Sequence, residues 1–264
     1  MHRRQFLAAS LAASALAVTH DAGAQAPAPA KREFYQIRRY SLVSGPQARL
    51  TETYLSEALI PALSRMGMGP IGAFRLDFGP ETPTFEVLIP SPSLEALAGL
   101  DLTLNKNDEF LKAADPFFSA PASAPAFQRV EYSLLAAFEG WPRLTPPASS
   151  ATKGKRLFQM RTYESPSYKD HVRKVEMFHS GEFQIFLDAG CHLVFFGDTL
   201  VGQRMPNLTY MLSFEDLAAL DAGWDKFRNA PAWKKLSSDP RYAFEPIVSN
   251  ITNLILAPLA ASQL

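Results

Sequence analysis

Side chains alternate between two faces along residues 34–42, and this period of two is typical of a β-strand. One face carries the apolar side chains of Tyr35 and Ile37. The other face carries a Gln-x-Arg-x-Tyr row that includes Arg38 and Tyr40. We therefore predict a strand here whose two faces differ in chemistry.

A near copy of this segment lies 123 residues downstream, where residues 157–163 correspond to residues 34–40. Arg161 and Tyr163 therefore stand where Arg38 and Tyr40 stand. Further pairs keep the same offset: Gly67 with Gly190, Pro83 with Pro206, Leu94 with Leu217, Leu97 with Leu220, and Phe110 with Trp233. So many matches at one spacing indicate a tandem repeat.

Each repeat shows the order strand, helix, two strands, helix, strand. In the first repeat, Pro46 begins a helix that Gly67 ends, and turn residues separate the two middle strands. In the second repeat the long helix spans residues 167–188. Two helices cover only one face of such a sheet, so the other face needs a partner, either the other repeat or a second chain. The sequence therefore leaves a homo-oligomer as one of two interpretations.

Residues 1–24 have the three parts of a secretory signal peptide: basic residues, an apolar run over residues 6–18, and small residues before Gln25. Arg3 and Arg4, followed by Gln-Phe-Leu, indicate the twin-arginine route, with an ordinary Sec signal as the alternative. The apolar run is shorter than the roughly 20 residues that a membrane-spanning helix needs. We expect a cleaved signal, a periplasmic or secreted protein, and no stable membrane anchor.

The remaining chain divides by composition. A leader (25–32), the first repeat (33–139), a linker (140–155), the second repeat (156–258) and a tail (259–264) follow the signal. The linker is rich in Pro, Ala and Ser, which predicts little burial and no regular structure.

Charge and cysteine content exclude several kinds of function. Lys and Arg total 26, and Asp and Glu total 26, so no basic field attracts nucleic acid. Cys191 is the only cysteine, which excludes an intrachain disulfide and a thiolate metal cluster. Its position after Gly190, at the start of an apolar strand, indicates a small core residue.

The second repeat contains a set of short motifs: Met177-Phe178, Gly181-Glu182, Val194-Phe195-Phe196-Gly197, Met205-Pro206-Asn207, Pro231-Ala232-Trp233-Lys234 and Ser249-Asn250-Ile251. In these motifs the chain resembles the NIPSNAP family, in its bacterial form with two domains and an export signal. The resemblance implies an α+β fold, in which two tandem ferredoxin-like repeats form a dimeric-α/β-barrel-type arrangement around a cavity. The wider superfamily includes cofactor-free monooxygenases, haem-binding peroxidases and binding domains, so kinship of fold alone does not assign an activity.

His179 and Glu182 are the candidate catalytic residues. At 100° per residue they fall in the same helical stripe as the apolar residues Val172, Val175 and Phe186. One interpretation is a general acid/base pair that faces a cavity. The other is a structural ion pair, for example between Glu182 and Arg161, with a satisfied histidine nearby.

The two Gln-x-Arg-x-Tyr rows are the candidate ligand-binding residues, and they include Arg38, Tyr40, Arg161 and Tyr163. If these rows face the barrel interior, they meet around an anionic or polar ligand, and the apolar residues on the opposite strand faces pack under the helices. If they face outward, they form a polar seam.

Tyr210 and Asn250 are two further candidate cavity residues, with core filling as the alternative role for Tyr210. The near-helical spacing of Trp224, Phe227 and Trp233 favours core residues, with a ligand cage as the alternative. His192 completes no recognised metal-ligand spacing with His179 and Glu182, so we assign no metal, and the cofactor is unknown.

These observations favour an exported protein that binds a small molecule in the barrel cavity. A cofactor-free monooxygenase or isomerase that uses His179 and Glu182 is the first alternative. A structural or partner-binding protein with a filled barrel is the second.

Overall fold

The computed structural model describes residues 31–43 and 45–264. The predicted signal peptide and most of the predicted leader lie outside the described residues. Residues 31–264 form one compact unit that contains both repeats.

The described part of the chain contains eight strands: β1 (Phe34–Ser41), β2 (Gly72–Phe78), β3 (Thr84–Ser91), β4 (Arg129–Ala137), β5 (Leu157–Glu164), β6 (His192–Val201), β7 (Asn207–Phe214) and β8 (Asn250–Pro258). They close into an antiparallel barrel in the order β1-β3-β2-β8-β5-β7-β6-β4. Each repeat supplies four neighbouring strands, and its last strand pairs with the second strand of the other repeat. The predicted arrangement of two tandem ferredoxin-like repeats is therefore confirmed.

Helices cover the outside of each four-stranded half. The first repeat and the segment after it contain α1 (Pro46–Tyr54), α2 (Ile60–Arg65), α3 (Leu94–Ala98), α4 (Leu100–Leu104), α5 (Asp108–Phe118) and α6 (Ala148–Thr152). The second repeat contains α7 (Tyr168–Met177), α8 (Phe183–Asp188), α9 (Leu217–Asn229), α10 (Pro231–Ser237) and α11 (Phe244–Ile247). Side chains of Ser93, Asn107, Ser167 and Asp216 accept hydrogen bonds from first-turn N–H groups and so cap four of these helices.

A π-helical turn interrupts the long helix of each repeat, at Leu55–Leu59 and at Phe178–Glu182. The two turns keep the 123-residue offset. Each inserts an extra residue per turn, which rotates the buried stripe of the helix beyond that point. In the second turn Gly181 adopts φ 135°, a backbone conformation that favours glycine.

Three large apolar clusters and a small one around Met177, Tyr242 and Ile247 hold the described part of the fold together. One fills the barrel interior with side chains from both repeats, among them Tyr35, Phe74, Phe158 and Phe195. The other two large clusters lie between the barrel wall and the helices, one in each repeat. Both faces of every strand therefore face packed side chains over much of their length.

The segment between the repeats is exposed over most of its length and buries only a few side chains, whereas the prediction of no regular structure is wrong because α6 lies within it. Leu144 belongs to the barrel cluster, and the Thr145 amide donates a 2.8 Å hydrogen bond to the Val194 carbonyl. The tail is also packed, since Leu264 is fully buried in the same cluster.

Candidate functional site

The polar rows of β1 and β5 face the helices and not the barrel interior. Tyr40 and Tyr163 lie in the two helix-side clusters. The apolar residues on the opposite strand faces, Tyr35, Ile37, Phe158 and Met160, fill the barrel. The arrangement in which those four residues pack under the helices is therefore wrong, and Arg38 and Arg161 do not meet inside the barrel. Each arginine instead lines a cavity of its own repeat.

The cavity of the second repeat measures about 390 Å³ and lies between β5, β8 and the helices. Five of its thirteen lining residues are aromatic: Tyr163, Trp224, Phe227, Trp233 and Phe244. This volume is within the range of about 300 to 1,000 Å³ that is usual for small-molecule sites. We call this space the second-repeat cavity.

Arg161 places a positive charge on the wall of the second-repeat cavity. Its guanidinium carbon lies 4.5 Å from the centre of the Trp224 ring, and its Nε donates a 3.3 Å hydrogen bond to the Tyr163 hydroxyl. Among the described residues no carboxylate lies within 4.0 Å of this guanidinium. Stacking orients the fork of the guanidinium and leaves its outer edge for a ligand.

An amide group lies beside Arg161 on the neighbouring strand. Asn253 is the cross-strand partner of Arg161. Its Oδ1 accepts a 2.8 Å hydrogen bond from Gln159 Nε2, and Gln159 Oε1 in turn accepts a 2.6 Å hydrogen bond from Trp224 Nε1. This chain orients the Asn253 amide so that its Nδ2 donors stay available. Two donor groups therefore converge on the second-repeat cavity.

Tyr163 and Tyr210 form a buried pair behind Arg161. Their hydroxyls lie 2.8 Å apart, and both side chains are almost fully buried. Burial raises the pKa of each phenol, because the low-polarity surroundings disfavour a phenolate. Tyr210 does not line the second-repeat cavity, so its contact with the ligand-binding region runs through Tyr163.

Glu182 is buried on the wall of the second-repeat cavity and pairs with Lys174. The Lys174 Nζ lies 2.6 Å from Glu182 Oε2, and both side chains are almost inaccessible. Lys174 Nζ also lies 4.3 Å from the centre of the Phe178 ring and 5.0 Å from that of Phe244. Burial raises the pKa of Glu182 and lowers the pKa of Lys174, because desolvation disfavours both charges more than their attraction favours them.

The structure does not place His179 in the second-repeat cavity with Glu182. The His179 ring is exposed, its Nδ1 lies 2.9 Å from the Val175 carbonyl, and its Nε2 accepts a 3.0 Å hydrogen bond from the Gly140 amide. Both ring nitrogens are therefore satisfied by backbone groups. The expected helical stripe also fails at Val172, which is 62% exposed. The π-helical turn shifts the register between Val172 and Glu182, which a uniform 100° rotation does not anticipate.

The predicted ligand-binding residue Asn250 does not line the second-repeat cavity. Asn250 is exposed and donates a 2.7 Å hydrogen bond to Glu164 Oε1, outside the second-repeat cavity. Sequence reasoning missed Lys174 and Asn253, and for Trp224 it favoured the core over a ligand cage, although Trp224 lines the second-repeat cavity. A buried Glu182 requires a cation, so a lysine on the same helix was the available signal for Lys174.

The first repeat has the corresponding space, which we call the first-repeat cavity. It measures about 560 Å³ and is lined by Arg38 and Tyr40 together with Asp101 and Tyr132. Here the arginine has a carboxylate partner, because Arg38 Nη2 lies 2.8 Å from Asp101 Oδ1.

The barrel interior contains a much smaller pocket than either of the two helix-side cavities. A polar pocket of about 110 Å³ opens at one end, where Arg39 Nε lies 2.6 Å from the buried carboxylate of Glu86. Within residues 31–43 and 45–264, no group of three or more His, Cys, Asp or Glu side chains is arranged to hold a metal. In the same ranges no helix has both the length and the apolar character needed to cross a membrane.

Comparison with solved structures defines the class of fold. A candidate monooxygenase from Lactobacillus acidophilus superposes with a TM-score of 0.56 over 86% of this chain and 94% of its own, at 10% identity. A candidate monooxygenase from Fusobacterium nucleatum superposes with a TM-score of 0.55 over 87% of this chain and 94% of its own, at 8% identity. At these identities the similarity shows a shared dimeric α/β-barrel fold and nothing about activity.

The sequence comparison supports the resemblance in the second repeat. Residues 158–263 match the NIPSNAP family model, so the resemblance is confirmed over these residues. A NIPSNAP-like domain protein from Burkholderia xenovorans is 17% identical over 40% of this chain and 86% of its own, with a TM-score of 0.36. None of the curated proteins matches the chain in sequence.

Proposed function

We propose that the protein binds a small organic anion in the second-repeat cavity. The observation that carries this proposal is the guanidinium of Arg161, which has no carboxylate partner among the described residues and stacks on the Trp224 ring in the cavity wall. A carboxylate is the natural counterpart, because the guanidinium fork can donate two parallel hydrogen bonds to it.

The side chains that line the second-repeat cavity also restrict the chemistry of the ligand beyond its carboxylate group. Trp224, Trp233 and Phe244 offer flat apolar surfaces, and Asn253 offers an amide donor beside Arg161. Asp221 and Arg228 lie at the exposed rim, where Arg228 pairs with Asp225. These features favour an aromatic or alicyclic carboxylate whose charged group contacts Arg161 and whose ring contacts the tryptophans.

Calorimetric titration with 1-naphthoate and its uncharged isostere 1-naphthamide tests this proposal. The protein should bind the carboxylate more tightly, and Arg161→Gln should weaken that binding about 10- to 150-fold, the loss of one charge-assisted contact. Arg228→Gln is the matched control, since Arg228 is exposed at the rim of the cavity and pairs with Asp225. Equal affinity of the Arg161→Gln variant and the wild type for 1-naphthoate would overturn the proposal.

A second candidate function is a cofactor-free oxygenase or isomerase in which Glu182 acts as the base. Its support is the position of Glu182 on the cavity wall together with its raised pKa. The 2.6 Å contact with Lys174 speaks for a structural role instead. Glu182→Gln removes the base while it keeps the shape. Unchanged turnover of any substrate found for the wild type would exclude this candidate.

Export is a separate proposal and rests on the sequence of residues 1–24. The expected product is a periplasmic or secreted chain that begins near Gln25. Intact mass measurement of the protein from fractionated host cells tests this. An uncleaved chain in the cytoplasmic fraction would contradict it.

A further inference from the structure

The first-repeat and second-repeat cavities lie at equivalent positions in the two repeats but differ in charge. The 123-residue offset places Asp101 of the first repeat where Trp224 stands in the second. Each of these residues contacts the arginine of its own repeat, Asp101 by an ion pair with Arg38 and Trp224 by stacking on Arg161. One substitution between the repeats therefore changes what the arginine offers to a ligand.

In the first repeat the arginine is fully engaged. Arg38 is 1% exposed, its Nε donates a 2.6 Å hydrogen bond to Gln36 Oε1, and its Nη2 contacts Asp101 at 2.8 Å. Its Nη1 donates a 3.3 Å hydrogen bond to the hydroxyl of Tyr132, whose ring centre lies 4.6 Å from the guanidinium carbon. Each nitrogen of the guanidinium has a partner, and the Asp101 carboxylate cancels its charge. An incoming anion would find repulsion from Asp101, and each nitrogen of Arg38 already donates one hydrogen bond.

The rest of the first-repeat cavity is apolar and aromatic. Tyr54, Phe117 and Phe118 lie on one side, with Tyr54 and Phe117 stacked at 4.1 Å between ring centres. Phe127 stacks on Phe117 at 5.5 Å. At about 560 Å³ this cavity is larger than the 390 Å³ of the second repeat, so it accommodates a bulkier ring system. Flat aromatic walls and a neutralised charge suit an uncharged aromatic molecule.

We propose that the first-repeat cavity is a second binding site with the opposite selectivity, which takes an uncharged aromatic ligand and rejects organic anions. The inference does not require the second-repeat cavity to hold its own ligand. It requires only that the Arg38–Asp101 pair sets the charge preference of the first-repeat cavity.

The test uses the full chain with Arg161→Gln, which removes the unpaired guanidinium of the other cavity. Calorimetric titration should show 1-naphthamide binding at least tenfold more tightly than 1-naphthoate. Addition of Asp101→Asn frees the charge of Arg38 while it keeps the shape, so 1-naphthoate affinity should rise at least tenfold. Absence of 1-naphthamide binding, or 1-naphthoate affinity that Asp101→Asn leaves unchanged, would overturn the proposal.

Tryptophan fluorescence assigns each binding event to a cavity. Trp224 and Trp233 line the second-repeat cavity, whereas the aromatic side chains around the first are those of Tyr and Phe. Binding in the first-repeat cavity should therefore release heat in the calorimeter and leave the tryptophan emission nearly unchanged when it is excited at wavelengths the probe does not absorb. Quenching that saturates together with the heat would place 1-naphthamide in the second-repeat cavity and contradict the proposal.

A reciprocal variant in the second repeat tests the same proposal independently, in case Asp101→Asn does not fold. Trp224→Asp introduces a carboxylate beside Arg161 and should lower 1-naphthoate affinity at least tenfold further than the control Trp224→Asn, which loses the ring without gaining a charge. Equal effects of these two substitutions would show that pairing of the arginine does not determine selectivity. Loss of 1-naphthoate binding in the wild type would contradict the proposed function alone, because the 1-naphthamide arm is independent of it.

Discussion

The buried pair of Lys174 and Glu182 gives the sharpest energetic prediction. Both side chains are inaccessible to solvent, so removal of one partner leaves the other charge buried without compensation. Such a loss typically costs about 3–5 kcal/mol, a large share of the roughly 5–15 kcal/mol of unfolding free energy of a domain. We therefore expect Lys174→Met and Glu182→Leu each to lower the unfolding free energy by about 3–5 kcal/mol.

The double variant should recover most of that loss. The first repeat shows that neither position needs a charge, because the residues equivalent to Lys174 and Glu182 are Thr51 and Leu59, both fully buried. Replacement of a buried ion pair by apolar residues of similar volume is often neutral. The double-variant cycle should therefore give a coupling energy of at least about 3 kcal/mol, measured by urea unfolding followed by circular dichroism. Additive single effects would refute the reasoning.

The two single variants should respond to pH in opposite directions. In Lys174→Met the buried Glu182 has a folded-state pKa above its ordinary value of about 4.3, so the folded state binds more protons and stability falls as pH rises from there. In Glu182→Leu the buried Lys174 has a folded-state pKa below about 10.4, so stability rises with pH up to that value. Lys174→Met should be weaker at pH 8.5 than at pH 6, and Glu182→Leu the reverse. The same pH trend in both variants would contradict the buried pair.

Three further predictions concern the fold. Gly181→Ala should cost about 1–3 kcal/mol in thermal or urea unfolding, because Gly181 has φ 135°, whereas Gly99→Ala at φ −94° should be nearly neutral. Leu264→Ala should cost about 2–5 kcal/mol because Leu264 is fully buried in the barrel, and the 71% exposed Leu102 is its control. Burial raises the pKa of the Cys191 thiol to about 11. A thiol reagent should therefore modify the folded protein very slowly at pH 8 and the urea-unfolded protein quickly. Fast reaction of the folded protein would contradict the burial of this thiol.

The order of strands and helices was predictable from the sequence because each hydrophobic pattern and each turn position occurs twice, once in each repeat. Alternation in residues 34–42 and again 123 residues later defined β1 and β5, and the helix pair of each repeat implied a sheet with one uncovered face. The closed barrel follows once each uncovered face packs on the other. The relation between the repeats was therefore the strongest information in the chain.

The orientation of the polar rows was not predictable, because both faces of these strands are buried. Ile37 packs inside the barrel while Arg38 packs under the helices, so hydrophobicity does not distinguish inside from outside. Lys174 escaped notice because a lysine is almost never fully buried. The alignment of His179 with Glu182 failed because the π-helical turn between Met177 and Phe183 changes the period of the helix.

The most direct test of the proposed function is the affinity of the Arg161→Gln variant for 1-naphthoate, measured beside the wild type and Arg228→Gln. An unpaired guanidinium on an aromatic wall predicts tight binding by the wild type and by Arg228→Gln, and binding weakened about 10- to 150-fold in Arg161→Gln. The same affinity in all three proteins, or no binding to any of them, would contradict an anion site at Arg161.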